Sequence, residues 1–142
     1  TPMMQITATS VSDYVAGFNL TGPDADPNAD PDGDGFSNRV EFAFGMNPAS
    51  ATSGQTQPLE VSTQTATTGG AEVTTVNGTF YQRPGVTYVV RASSDLSNGL
   101  TDIVTPTPSA DQTGVPPGYV KYEAVYNSGS DRAFMRIDAT VP

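Results

Sequence analysis

Residues 30–41 read DPDGDGFSNRVE, with Asp at positions 1, 3 and 5 of the twelve, Gly at 6, Asn at 9 and Glu at 12. Alternate positions of a tightly turning loop direct their oxygens inward, and this is the spacing with which such a loop surrounds Ca2+. A hard cation of that kind takes six to eight oxygens at about 2.3–2.6 Å. The expected ligands are Asp30, Asp32, Asp34, the Phe36 carbonyl, Asn38 directly or through water, and a bidentate Glu41, with Gly35 at the sharp bend. Loops favour Asp, Gly, Pro and Asn for their own sake, which accounts for the composition of this segment but not for its register. Position 8 is Ser37 where paired loops carry an aliphatic residue, so this loop is expected to stand alone and not to open a groove as paired sensors do.

The remaining composition removes most catalytic machinery. The 142 residues include no Cys, His or Trp, and Lys121 is the sole lysine. Ser-His-Asp and Cys-His arrangements, disulfides and thiolate or imidazole zinc sites are therefore excluded. The net charge is −9, and residues 1–50 hold Asp13, Asp24, Asp26, Asp30, Asp32, Asp34 and Glu41 against Arg39 alone. That field opposes nucleic acid and anionic membranes, and cation binding should be coupled to ordering of the acidic segment. No apolar run reaches the roughly 18 residues of a membrane span. Without a signal peptide, the chain is expected to be a fragment of a longer secreted or cell-surface protein.

Two periodicities divide the chain. Ser12 is placed to cap an entering helix over 13–19, ended by Gly22-Pro23, while Phe36, Val40 and Phe44 recur every fourth residue in an exiting helix closed by Gly45-Met46-Asn47-Pro48. Both helices are too short to persist alone in water, so Tyr14, Phe18, Phe36, Phe42 and Phe44 read as core residues. Between them Asp24, Asp26 and Asn28 repeat the every-second-residue oxygen pattern and offer a second cation site, although Ala29 replaces the glycine such a register wants. Residues 51–57 read as a linker between a helical segment (1–50) and a β domain (58–142). Strands are expected at 59–64, 73–83, 86–93, 100–105, 119–126 and 133–140, separated by turn signals at Gly69-Gly70, Asn77-Gly78, Pro84-Gly85, Asn98-Gly99, Pro116-Pro117-Gly118 and Ser128-Gly129. The fold class is a small antiparallel β-sandwich, immunoglobulin- or fibronectin III-like, preceded by a short helix-loop-helix calcium-binding hand.

The run DPDGDGFSNRVEFAFGMN (30–47) resembles the tail modules of large secreted bacterial proteins, which join a single EF-hand-like or thrombospondin type 3-like loop to the ending seen here as Glu41-Phe-Ala-Phe-Gly45-Met-Asn-Pro48. Tyr88-Val-Val-Arg-Ala-Ser-Ser-Asp95-Leu96 and Arg132-Ala-Phe-Met-Arg136-Ile resemble the β domain that follows the loop in such proteins. The resemblance implies a non-catalytic module, with calcium rigidifying the junction between domains and adjacent domains as partners. Its functional residues carry over at Asp30, Asp32, Asp34, Asn38 and Glu41. Dockerins normally repeat the loop, and the single copy here argues against a cohesin partner.

Three functions follow from these residues. The first is a calcium-stabilised structural or interaction module. The second is carbohydrate binding by the sandwich, with polysaccharide or a cell-surface protein as partner and Tyr81, Tyr119, Tyr122 and Tyr126 as the aromatic platform. The third is acid-base chemistry pairing Asp95 with Asp102 or Glu123, which is set aside: Asp95 in Ser93-Ser-Asp-Leu-Ser-Asn98 reads as a turn residue bonded to backbone amides. Arg83, Arg91 and Arg136 read as surface or cross-strand ion-pair partners.

Overall fold

The computed structural model describes residues 10–142, so the first nine residues of the 1–50 segment lie outside the described residues. Two helices, α1 (Val11–Ala16) and α2 (Asn38–Phe44), flank a 3-10 turn at Gly22–Ala25. Seven strands follow: β1 (Glu60–Thr68), β2 (Ala71–Gln82), β3 (Thr87–Ser93), β4 (Asp102–Val104), β5 (Thr107–Pro108), β6 (Val120–Asn127) and β7 (Phe134–Thr140). They form two antiparallel sheets, ordered β1-β2-β6-β5 and β4-β3-β7. The protein is mostly β and consistent with a small β-sandwich.

Local chemistry explains most boundaries. Gly69 and Gly70, at φ 61° and 85°, make the two-residue turn that sets Thr68 opposite Ala71. β1 runs four residues past the expected 64, and every residue in it is exposed. Asn77-Gly78 is no turn. It lies inside β2, where Thr74, Val76, Gly78 and Phe80 alternate inward. A Cβ on Gly78 would stand 2.6 Å from Met135 Sδ and 2.9 Å from Leu59 Cδ1, so the glycine is where other side chains cross the strand at close range. The short β5 was not anticipated; Pro108 fits there because β5 lies at the sheet edge.

The helices shift as well. Ser10, not Ser12, caps α1 by accepting from the Asp13 amide at 3.1 Å, so the helix covers Val11–Ala16 instead of 13–19. Residues 17–29 then separate α1 from the acidic loop. Ser37 caps α2, and Gly45 closes it in the left-handed conformation at φ 70°.

The two segments share one core. Ala43, Phe44 and Met46 cluster with Phe80, Val90 and Ala124 of the sandwich, while Val11, Val15 and Phe42 form a smaller cluster against Val86 and Val141. Residues 51–57 are likewise tied back, through bridges from Met46 to Gly54 and Gln55. Three tyrosine hydroxyls fasten the end of α2: Tyr119 donates to the Phe42 carbonyl, Tyr88 to that of Ala43 and Tyr14 to that of Met46. A helix leaves its last carbonyls without intrahelical donors, and these hydroxyls supply part of the shortfall.

Candidate metal centre

Asp30, Asp32 and Asp34 each bring one carboxylate oxygen within 4.8 Å of the others. The loop achieves this by spending its own amides. Asp30 accepts from Gly33 N at 2.9 Å, Asp34 N at 3.2 Å and Gly35 N at 2.9 Å. Asp32 accepts from Asp34 N at 3.3 Å, and Asp34 from Phe36 N at 2.8 Å. Gly35 sits at φ 93°, the bend the sequence assigned to it. Three carboxylates held this close repel one another, and the amides they accept from offset part of that repulsion.

Glu41 adds to that repulsion from the helix side. It is fully buried, and among the described residues neither Oε1 nor Oε2 has a hydrogen-bond donor, while Asp32 Oδ2 and Asn38 Oδ1 are buried without partners too. Burial, then the charges of Asp32, Asp34 and Asp30, push the Glu41 carboxyl up to about 8. Asp32 is also raised, first by burial, whereas backbone donation from Gly35 holds Asp30 low. An ionised carboxylate buried without a donor costs several kcal/mol. Asp32, Asn38 and Glu41 thus present four orphaned oxygens; Glu41 itself does not join the 4.8 Å cluster, which comprises exposed Asp30 and half-buried Asp32 and Asp34.

Asn38 has a second task that its spacing did not announce. Its Nδ2 donates to the Asp24 and Asp26 carbonyls, both at 2.8 Å, while the Asn38 and Arg39 amides donate to Ala29 and Pro27 at 2.8 and 2.9 Å. The strip 24–29 is thereby stitched to the start of α2, leaving Asn38 Oδ1 facing away from those bonds. The Phe36 ring packs toward the core, and no backbone amide donates to its carbonyl among the described residues.

The other sequence candidates have different placements. Asp24 and Asp26 do not join the carboxylate cluster, and Asp26 Oδ1 accepts from Asn28 N at 2.8 Å in a local turn. Asp95 accepts from Ser97 N at 2.9 Å, the turn role expected of it, and Asp102 accepts from Tyr126 OH at 2.7 Å. Arg136 is exposed, as its surface reading has it, and pairs with Asp138 on its own strand at 3.2 Å, not across the ladder, where it stands opposite Arg91. Arg83 departs furthest from its surface reading. It is buried, its guanidinium lies 3.9 Å from the Phe42 ring centroid, and Nη1 donates to Tyr119 OH at 3.1 Å. Tyr122 stacks on Phe80 at 6.2 Å inside the sandwich.

Comparison of the chain with known protein families, characterised proteins and solved structures returns no match. The functional reading therefore rests on the residues and their geometry.

Proposed function

We propose that this chain is a non-catalytic, calcium-stabilised structural module of a secreted or cell-surface protein, in which one Ca2+ is held by Asp30, Asp32, Asp34, the Phe36 carbonyl, Asn38 and Glu41. The observation that carries the reading is the fully buried Glu41 with no donor to either oxygen, set beside three clustered carboxylates. An acidic turn serving only as a turn has no reason to bury a fourth carboxylate against itself. The ion supplies the missing positive charge, and through Asn38 it also braces the strip 24–29.

The sandwich is read as immunoglobulin-like. The order β1-β2-β6-β5 over β4-β3-β7 parallels the A-B-E-D sheet of that fold, with the second sheet built around its C and F strands. Extracellular placement fits the cation: modules there bind Ca2+ at about 10⁻⁴–10⁻³ M, and the four carboxylates Asp30, Asp32, Asp34 and Glu41 favour a tighter site. Adjacent domains of the parent protein are the expected partners, with the loop as a stiffener.

The test is calorimetric titration of chelator-treated protein with Ca2+, followed by thermal melting and limited proteolysis. Saturable binding of one ion, a raised melting temperature and slower cleavage across 24–48 are expected. Absence of binding, or cleavage indifferent to chelation, overturns the reading.

A further inference from the structure

Four aromatic rings converge on one open cleft of about 450 Å3 between the helices and the sandwich. They run in sequence from Phe18 to Tyr14, Tyr119 and Tyr81, with centroids 5.2, 6.5 and 6.5 Å apart. Two of them, Tyr81 and Tyr119, were candidate platform residues in the sequence. The other two come from α1 and the turn after it, and Tyr122 and Tyr126 do not line the cleft. The hydroxyls of Tyr14 and Tyr119 are tied to the Met46 and Phe42 carbonyls, which fixes their rings in place before any ligand arrives.

The lining excludes ligand classes. No Asp, Glu, Lys or Arg contributes to it, although the chain carries a net charge of −9. An anion would find no countercharge there. Amides stand beside the rings: Asn47 uses Oδ1 to accept from Ala49 N, leaving Nδ2, and Gln55 uses Nε2 to donate to Gln57 O, leaving Oε1. Amide and hydroxyl groups beside four rings inclined at 65°, 67° and 53° to one another suit a molecule whose hydroxyls both donate and accept and whose ring C–H faces are apolar. A proline-rich peptide would cover the rings but has few N–H groups for Gln55.

We infer that this cleft binds a neutral oligosaccharide, with half-buried Phe18, Tyr14 and Tyr81 as the stacking platform, buried Tyr119 packed between the last two, and Asn47 and Gln55 as the hydroxyl-binding side. The site goes beyond the calcium reading and does not depend on it.

The probes are cellohexaose, laminarihexaose, xylohexaose and mannohexaose, titrated into isotope-labelled protein at saturating calcium while backbone amide resonances are followed. Saturable shifts centred on Gly45, Gln55 and Tyr81 with at least one hexaose are expected. Phe18→Ala and Tyr81→Ala should each weaken binding by about tenfold or more, while Tyr126→Ala leaves it unchanged. Melting of each variant in calcium separates loss of the platform from loss of fold, and Gln55→Ala tests the polar side should Tyr81→Ala not fold. No response up to about 10 mM of any hexaose overturns the inference, as do shifts mapping elsewhere or preferential binding of oligogalacturonate or a proline-rich peptide. Because calcium binding is titrated separately, its failure would be visible as such and would leave the sugar result standing.

Discussion

Glu41 and Arg83 bring an acidic and a basic side chain into the interior around α2, and their surroundings differ. Arg83 is met largely from within the protein: its guanidinium lies over the Phe42 ring, 5.3 Å from that of Tyr119, and bonds the Tyr119 hydroxyl through Nη1, while its Nε is buried without a hydrogen bond among the described residues. Glu41 has no donor, and its charged neighbours Asp32, Asp34 and Asp30 share its sign. A buried charge whose neighbours satisfy it belongs to the fold. One whose neighbours aggravate it is what the proposed Ca2+ would relieve.

The sharpest way to break this comparison is Glu41→Gln. It should weaken calcium binding by two to three orders of magnitude, about 3–4 kcal/mol, while raising the melting temperature of the calcium-free protein at neutral pH. If calorimetry gives wild-type affinity, Glu41 is not a ligand. Next comes Arg83→Met, which keeps the stem and removes the charge. A loss of about 2–3 kcal/mol, equal in calcium and in chelator, is expected from denaturant melts; a loss appearing only in one condition would tie Arg83 to the cation site.

A smaller effect follows from pH. The folded, calcium-free protein holds a proton on Glu41 up to about 8, whereas an unfolded chain releases it near 4.5. Between those values the native state binds more protons, so stability falls as pH rises. Calcium-free melting temperatures should decline across that window and the decline should flatten with calcium; a rise without calcium would contradict the buried, unpaired carboxyl. The smallest expected change is for Asp26→Asn, which keeps the local turn at Asn28. Stoichiometry should stay at one ion and affinity within about twofold, since Asp26 lies outside the cluster. Loss of a second binding event would instead reveal a second site at Asp24, Asp26 and Asn28.

Much of this was written in short-range pattern. The loop register placed Asp30, Asp32 and Asp34 together because a twelve-residue turn is closed by its own amides. The alternation of Val86, Tyr88 and Val90 and of Met135, Ile137 and Ala139 located the inward faces of β3 and β7. What escaped the sequence was set by contacts between distant residues. Asn77-Gly78 has the letters of a hairpin turn, yet Met135 and Leu59 claim the space that a side chain would fill. Arg83 looked like a surface residue because charged side chains seldom bury, and nothing beside it in sequence announces Phe42 or Tyr119. The tyrosine hydroxyls on the carbonyls of α2, and the double donation by Asn38, are equally invisible to spacing. Burial of Glu41 also needed the fold, since position 12 of a loop says nothing about the wall behind it.

Helix α2 has seven residues, and they are divided between two tasks. Asn38 and Glu41 face the acidic loop, while Phe42, Ala43 and Phe44 enter the hydrophobic clusters that close the sandwich. So short a rod has no room to absorb displacement along its length, and it acts as a crank between loop and sheets. Amide hydrogen exchange deep in β2 and β3 should therefore slow when calcium is added, although neither strand supplies a ligand to the ion.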